Sequence, residues 1–189
     1  AAGLRASAAL LAAVKGLTAD DLVVALISGG GSALLPCPAP GLTLDDEAAV
    51  NRALLASGAP ISAMNVVRAQ VSAIKAGRLA RTAFPARVHS LIVSDIPGDD
   101  PALVASGPTV PFGSRAAEAL EIVAAYGMEM PQSVLSYLQQ ADDPPGPDDP
   151  MFARNGFHVI ASAKLSLQAA ARTAERLGFT STILSDAIE

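Results

Sequence analysis

An apolar run, Leu91-Ile-Val-Ser94, empties into a loop carrying three carboxylates, Asp95, Asp99 and Asp100, followed by Ser106-Gly107-Pro108. This constrains the fold strongly, because an ionised carboxylate beside a buried strand is costly unless it holds a metal, accepts a proton or caps a helix. A second apolar run, Leu22 to Ile27, ends in Ser28-Gly29-Gly30-Gly31-Ser32, where missing Cβ atoms let backbone approach a ligand closely. Such runs alternate with helical patterns along the chain. The spacing predicts helices over Leu4 to Lys15, from Asp45 or Asp46 (the cap) to Ser57, over Arg115 to Tyr126, Pro131 to Gln140 and Leu165 to Leu177, and another opened by Asn65 as its N-cap. Strands are predicted at Leu22 to Ile27, His89 to Ser94, Phe157 to Ala161 and Thr180 to Leu184. The alternation predicts an α/β fold, a three-layer Rossmann-like domain with a mostly parallel sheet covered by helices on both faces. Ligands of such sheets lie beyond the carboxyl ends of the strands, so the Ser28 to Ser32, Asp95 to Asp100 and Ser162-Ala163-Lys164 loops are expected on one edge.

The 189 residues suit a single domain over 1–189. A hydrophobic fraction of 51% suggests a membrane protein, yet the longest apolar runs, such as Ala8 to Val14, fall far short of the ~20 residues that span a bilayer. The net charge of −5 and the lack of any Lys/Arg cluster argue against nucleic acid and anionic membrane as partners, leaving a small molecule. The single cysteine, Cys37, forms no internal disulfide and is read as packing in a reducing cytoplasm.

The Ser28 to Ser32 loop offers successive N–H groups able to cradle phosphate or carboxylate oxygens. It is not a dinucleotide fingerprint, since Leu34 stands where the third glycine belongs, and no Gly-Lys-Ser/Thr follows it. Leu34 also breaks the nucleophile-elbow pattern around Ser32, and neither His89 nor His158 lies near a serine motif. Asp95, Asp99 and Asp100 suit a Mg²⁺ or proton-accepting site, since Mg²⁺ takes one or two carboxylates plus water and phosphate oxygens, and Asp95, immediately after the strand, is the best placed. Arg68 and Lys75, two turns apart on one expected helix face, and Arg78 are candidates to clamp an anion. Ser106 and Gly107 are candidates for the site wall.

Four segments together carry a resemblance: Ser28-Gly-Gly-Gly-Ser-Ala33, Asn65-Val-Val-Arg68, Ser72-Ala-Ile-Lys-Ala-Gly-Arg-Leu-Ala80 and Ser94-Asp-Ile-Pro-Gly-Asp-Asp100. In this order they resemble the glycerate 2-kinase family, whose members carry a C-terminal MOFRL domain and are often labelled hydroxypyruvate reductases. The resemblance implies ATP- and Mg²⁺-dependent phosphorylation of D-glycerate to 2-phosphoglycerate. It implies catalytic roles for Asp95, Arg68 and Lys75, substrate or phosphate contacts from Ser28, Gly29, Gly30, Gly31, Ser32, Asn65, Ser106 and Gly107, and metal ligation by Asp95 and Asp99. The chain departs from the family pattern at Ala63-Met64, Ala69-Gln70 and Ala76. The family's Gly-x-Gly-Lys segment and its MOFRL domain are expected to lie outside these residues. The chain is therefore read as part of the family's N-terminal domain, inactive by itself, with a homodimer compatible with the reading. Two other functions stay open at this point: NAD(P)H-dependent hydroxypyruvate reduction, and a binding domain without turnover.

Overall fold

In the computed structural model, which describes residues 2–186, three strands lie in the order β1 (Leu22–Ser28), β2 (Arg87–Val93) and β3 (Gly156–Ala161), all parallel. Parallel neighbours need long crossovers, and these hold most of the helices. After α1 (Ala2–Val14), the first crossover carries α2 (Gly31–Leu34), α3 (Leu44–Ala56), α4 (Ile61–Gln70) and α5 (Arg78–Ala83). The second carries α6 (Ala116–Ala125) and α7 (Gln132–Leu138), and α8 (Ala163–Arg176) follows β3. The register pairs Ser28 with Val93, so β1 and β2 end level and the glycine loop and the aspartate loop leave the sheet together. The expected α/β fold with a parallel sheet flanked by helices is present. No helix among the described residues is long and apolar enough to cross a membrane.

Two cores flank these loops. One, beside the sheet, joins Val14, Ile74, Leu79, Val88 and Met151; the other joins Val50 and Leu54 of α3, Val67 of α4, Ala119 and Val123 of α6, and Val134 and Leu138 of α7. In β1 the residues Val23 and Ala25 pack against the first core, while Leu22, Val24 and Leu26 on the alternate face are 59%, 54% and 78% exposed. Cys37 is a free thiol packed at the margin of the same core, in keeping with its expected role.

Several local expectations change. The cap of α3 is Thr43, whose hydroxyl accepts from the Asp46 N–H at 3.1 Å while the Asp46 carboxylate accepts from the Thr43 N–H at 2.8 Å. Asp46 thus serves as the reciprocal acid of a capping box rather than as the cap. Asn65 is interior to α4, which starts after Pro60, and does not cap it. Lys75 is not on that helix at all. The helix stops at Gln70 because the next backbone groups bond elsewhere: Ala39 N–H donates to Val71 O at 2.9 Å and Ala73 N–H to Cys37 O at 2.7 Å. Residues 180–184 form no strand among the described residues; Ser181 Oγ instead donates to Ala171 O at 3.4 Å and to Glu175 Oε1 at 3.1 Å, turning the segment back on α8.

The cap gives a stability prediction. Thr43→Ala is expected to lower unfolding free energy by about 0.5–2 kcal/mol, read from the urea midpoint. Hydrogen bonds from Ser133 Oγ, at 2.5 Å, and from Thr43 hold the Asp46 carboxyl below its ordinary pKa. A depressed carboxyl adds stability above its unfolded pKa and loses it as pH falls through the folded one. The stability gap between wild type and Asp46→Asn is therefore expected to close on moving from neutral to acid pH.

Candidate active site

The three consecutive glycines are required for two different reasons. Gly30 has φ 74° with open space around it, a left-handed conformation that glycine adopts without strain. Gly29 and Gly31 are instead needed for room: a Cβ on Gly29 would overlap the Asp95 carboxyl, and one on Gly31 would lie 2.9 Å from Ala105 Cβ. The Gly29 N–H donates to Val93 O at 3.1 Å, tying the loop to the end of β2. The next three amides, of Gly30, Gly31 and Ser32, donate to no group among the described residues. Ser28 is exposed at the strand end.

Asp95 follows β2, is exposed, and makes no hydrogen bond among the described residues. A free carboxylate packed onto Gly29, beside three unpaired amides, fits a metal that takes one or two protein carboxylates and completes its shell with phosphate oxygens and water. The described residues hold no group of three or more His, Cys, Asp or Glu that would enclose a metal by themselves. Asp99 has φ 56°, and its side chain is likewise without a hydrogen bond among them. Asp100 is different: its Oδ1 accepts from the Ala102 N–H at 2.9 Å, so it caps a turn.

Arg68 of α4 is half-buried, donating from Nε to Asn51 Oδ1 at 2.9 Å and from Nη1 to Asn65 Oδ1 at 3.5 Å. Asn65 thus orients the arginine. Lys75 is only 4% exposed; its Nζ donates to Ser32 O at 3.0 Å and lies 3.9 Å from Glu47 Oε1. Burial pushes the Lys75 ammonium below its ordinary pKa, against the pull of Glu47, and Arg68 pushes the same way as burial. Burial likewise raises the Glu47 carboxyl, and Lys75 and the Cys37 backbone amide offset part of that rise. Arg78 leaves the expected clamp: its Nη1 donates to Ala69 O at 2.6 Å inside the protein, serving the end of α4.

Ser106 and Gly107 are both buried. Ser106 Oγ lies 2.7 Å from Ser32 Oγ and so braces the glycine loop. Gly107, expected to touch substrate, packs instead: a Cβ there would lie 2.8 Å from Ala102 O, and its N–H donates to Val104 O at 2.9 Å. Ala76, Ala105 and Ser106 all have left-handed φ, at 55°, 50° and 61°. Such conformations cost non-glycine residues roughly 1–2 kcal/mol each and collect at functional sites. Here they form one knot, with Ala76 N–H donating to Ser106 O at 2.9 Å and Gly77 N–H to Gly107 O at 2.8 Å, and Lys75 immediately precedes it. Sequence reasoning missed Glu47 and Asn51. Their spacing of four on α3 was the available signal, since it places both on one helix face.

A family profile described as "Domain of unknown function (DUF4147)" matches residues 1–139. A protein of Agrobacterium vitis named "Putative hydroxypyruvate reductase" is 48% identical over 186 residues, covering 98% of this chain and 42% of that protein. The "Glycerate kinase" of Homo sapiens is 44% identical over 189 residues, covering 98% of this chain and 36% of its own length. The crystal structure of a glycerate kinase from Thermotoga maritima superposes with a TM-score of 0.86 at 33% identity, covering 96% of this chain and 42% of that one. The chain thus spans less than half the length of these relatives. With the profile covering most of its residues, and the same fold in a glycerate kinase, the chain belongs to the DUF4147 family.

Proposed function

We propose that the full-length protein carrying this chain is a glycerate 2-kinase, moving the γ-phosphoryl group of ATP to a hydroxyl of D-glycerate with Mg²⁺ to give 2-phosphoglycerate. The observation that carries this reading is the Asp95 carboxylate, packed onto a loop whose Gly30, Gly31 and Ser32 amides, like the carboxylate itself, have no hydrogen-bond partner among the described residues. Phosphoryl transfer asks a protein mainly for positioning and charge neutralisation, which these groups offer without a nucleophile relay. In this reading the loop amides and the Arg68 guanidinium hold anionic oxygens, and Lys75 adds positive charge beneath the loop. Asp95 accepts the proton of the attacked hydroxyl or, with Asp99, holds the metal. Mg²⁺, when bound, neutralises charge on the phosphate oxygens.

The names of the human and Thermotoga maritima relatives support glycerate as the acceptor. The reductase reading has less support, because Leu34 removes the third glycine that a dinucleotide pyrophosphate requires. A cytoplasmic location, small-molecule partners alone and a homodimer belong to the same proposal. A coupled ADP assay, run beside nicotinamide absorbance, tests it. The full-length protein is expected to release ADP only with D-glycerate and Mg²⁺ present, and to leave NADH and NADPH unchanged with hydroxypyruvate. Reductase turnover without ADP release would overturn the proposal.

A further inference from the structure

Helix α3 supplies a partner to each cation of the site. Asn51 accepts from Arg68 Nε at 2.9 Å, while Glu47, one turn earlier, sets its Oε1 3.9 Å from Lys75 Nζ. The two are themselves linked, since Asn51 Nδ2 donates to Glu47 O at 3.0 Å. Lys75 in turn donates to Ser32 O, the carbonyl of the last residue whose N–H is unpaired. A line of contacts therefore runs from α3 through the ammonium into the glycine loop.

Stability alone does not account for this pair. Glu47 is 7% exposed and its Oε2 has no hydrogen-bond partner among the described residues, which is a net cost inside a protein. Apolar residues of similar size commonly replace buried ion pairs without loss of stability. What a charged pair supplies and an apolar one lacks is direction: the ammonium stays where its acceptors are. Ser32 O at 3.0 Å accepts from Lys75 Nζ, and the Glu47 carboxylate at 3.9 Å draws the ammonium to that side; without this pull Lys75 would be free to swing towards any anion in the cleft.

We infer that Glu47 is a positioning residue for the glycine loop, acting through Lys75 to fix the Ser32–Ala33 peptide, whose Ala33 N–H donates to Gly30 O at 3.3 Å and so holds the turn that presents the Gly30, Gly31 and Ser32 amides. It does not touch substrate. The inference rests on the reading of this loop as an anion site, so its test uses inorganic phosphate as well as turnover. In the full-length protein, Glu47→Gln is expected to weaken phosphate binding and to lower kcat/KM for ATP, each by about ten- to a hundredfold, as expected when a ligand-holding group loses its support. Glu47→Asp is expected to recover part of both losses. The double variant Glu47→Gln/Lys75→Met is expected to regain the thermal midpoint of the wild type but not its phosphate affinity.

Phosphate affinity of Glu47→Gln within twofold of wild type would overturn the inference, as would a double variant that restores both midpoint and affinity, because Glu47 would then serve packing alone. If Glu47→Gln does not fold, Glu47→Asp is measured in its place, and a phosphate affinity within twofold of wild type overturns the inference. Wild-type protein that fails to bind phosphate also overturns it. Phosphate binding that depends on Glu47, in a protein that releases no ADP with D-glycerate, would uphold this inference and remove the kinase proposal instead.

Discussion

Replacing Asp95 by asparagine is expected to lower kcat of the full-length protein by about 10² to 10⁴-fold, with the urea midpoint nearly unchanged. The substitution keeps the shape of the side chain and removes one negative charge at the end of a rigid strand. Because the carboxylate makes no hydrogen bond among the described residues, its loss leaves no internal donor stranded, so the fold has little reason to respond. Its two possible roles then separate on a magnesium series. A lost metal ligand weakens Mg²⁺ binding, and raising Mg²⁺ recovers part of the rate. A lost proton acceptor is not replaced that way, and the deficit persists at every concentration. A near-wild-type kcat would take Asp95 out of the site.

The second large effect is expected from a single methyl group. In Gly29→Ala the new Cβ would overlap the Asp95 carboxyl, so the aspartate must turn away or the ends of β1 and β2 must part. Asp95 is exposed and unbonded among the described residues, so turning away is the cheaper response and the urea midpoint is expected to change little. Displacing a reacting group by about 1 Å costs on the order of 10²-fold in rate, and kcat is expected to fall by at least that much. The two substitutions strike the same group and are not expected to add. In a double-mutant cycle, Asp95→Asn should remove little further activity from Gly29→Ala. Additive losses would show that Gly29 acts independently of Asp95.

The strands and the chemistry-bearing loops were legible because their signals are local. Apolar runs ending in Gly29-Gly30-Gly31 and in Asp95 state both an element and its end, and α3 was placed with its cap shifted only from Asp45 or Asp46 to Thr43. What was not legible depends on distant partners. No glycine or proline lies between Ile61 and Lys75 to stop α4; it ends at Gln70 because the backbone of Val71 and Ala73 bonds to the 37–39 segment. That change carried Lys75 off the helix and into the buried turn under the glycine loop. Glu47 was hidden by its neighbours, because Asp45-Asp46-Glu47 reads as the acidic first turn of any helix. Ala76 and Ala105 gave no warning of left-handed backbone, since alanine is no turn residue and only tertiary bonds hold it there. The β-branched residues near Thr180 suggested a strand, but a strand needs a neighbour, and the segment finds α8 instead.

The alternating exposure of β1 bears on colloidal behaviour rather than on catalysis. Among the described residues it forms an edge of the three-stranded sheet, with Leu22, Val24 and Leu26 exposed on one side and no strand beyond it on the side away from β2. An apolar, open edge is a template for further strands, and sheets without charged or bulged edges self-associate through them. The acidic side chains of Asp20 and Asp21 sit just ahead of the strand, a position where charges oppose edge-to-edge pairing. A lysine at Val24 is therefore expected to blunt this edge without approaching the carboxyl end of the strand, where the glycine loop begins.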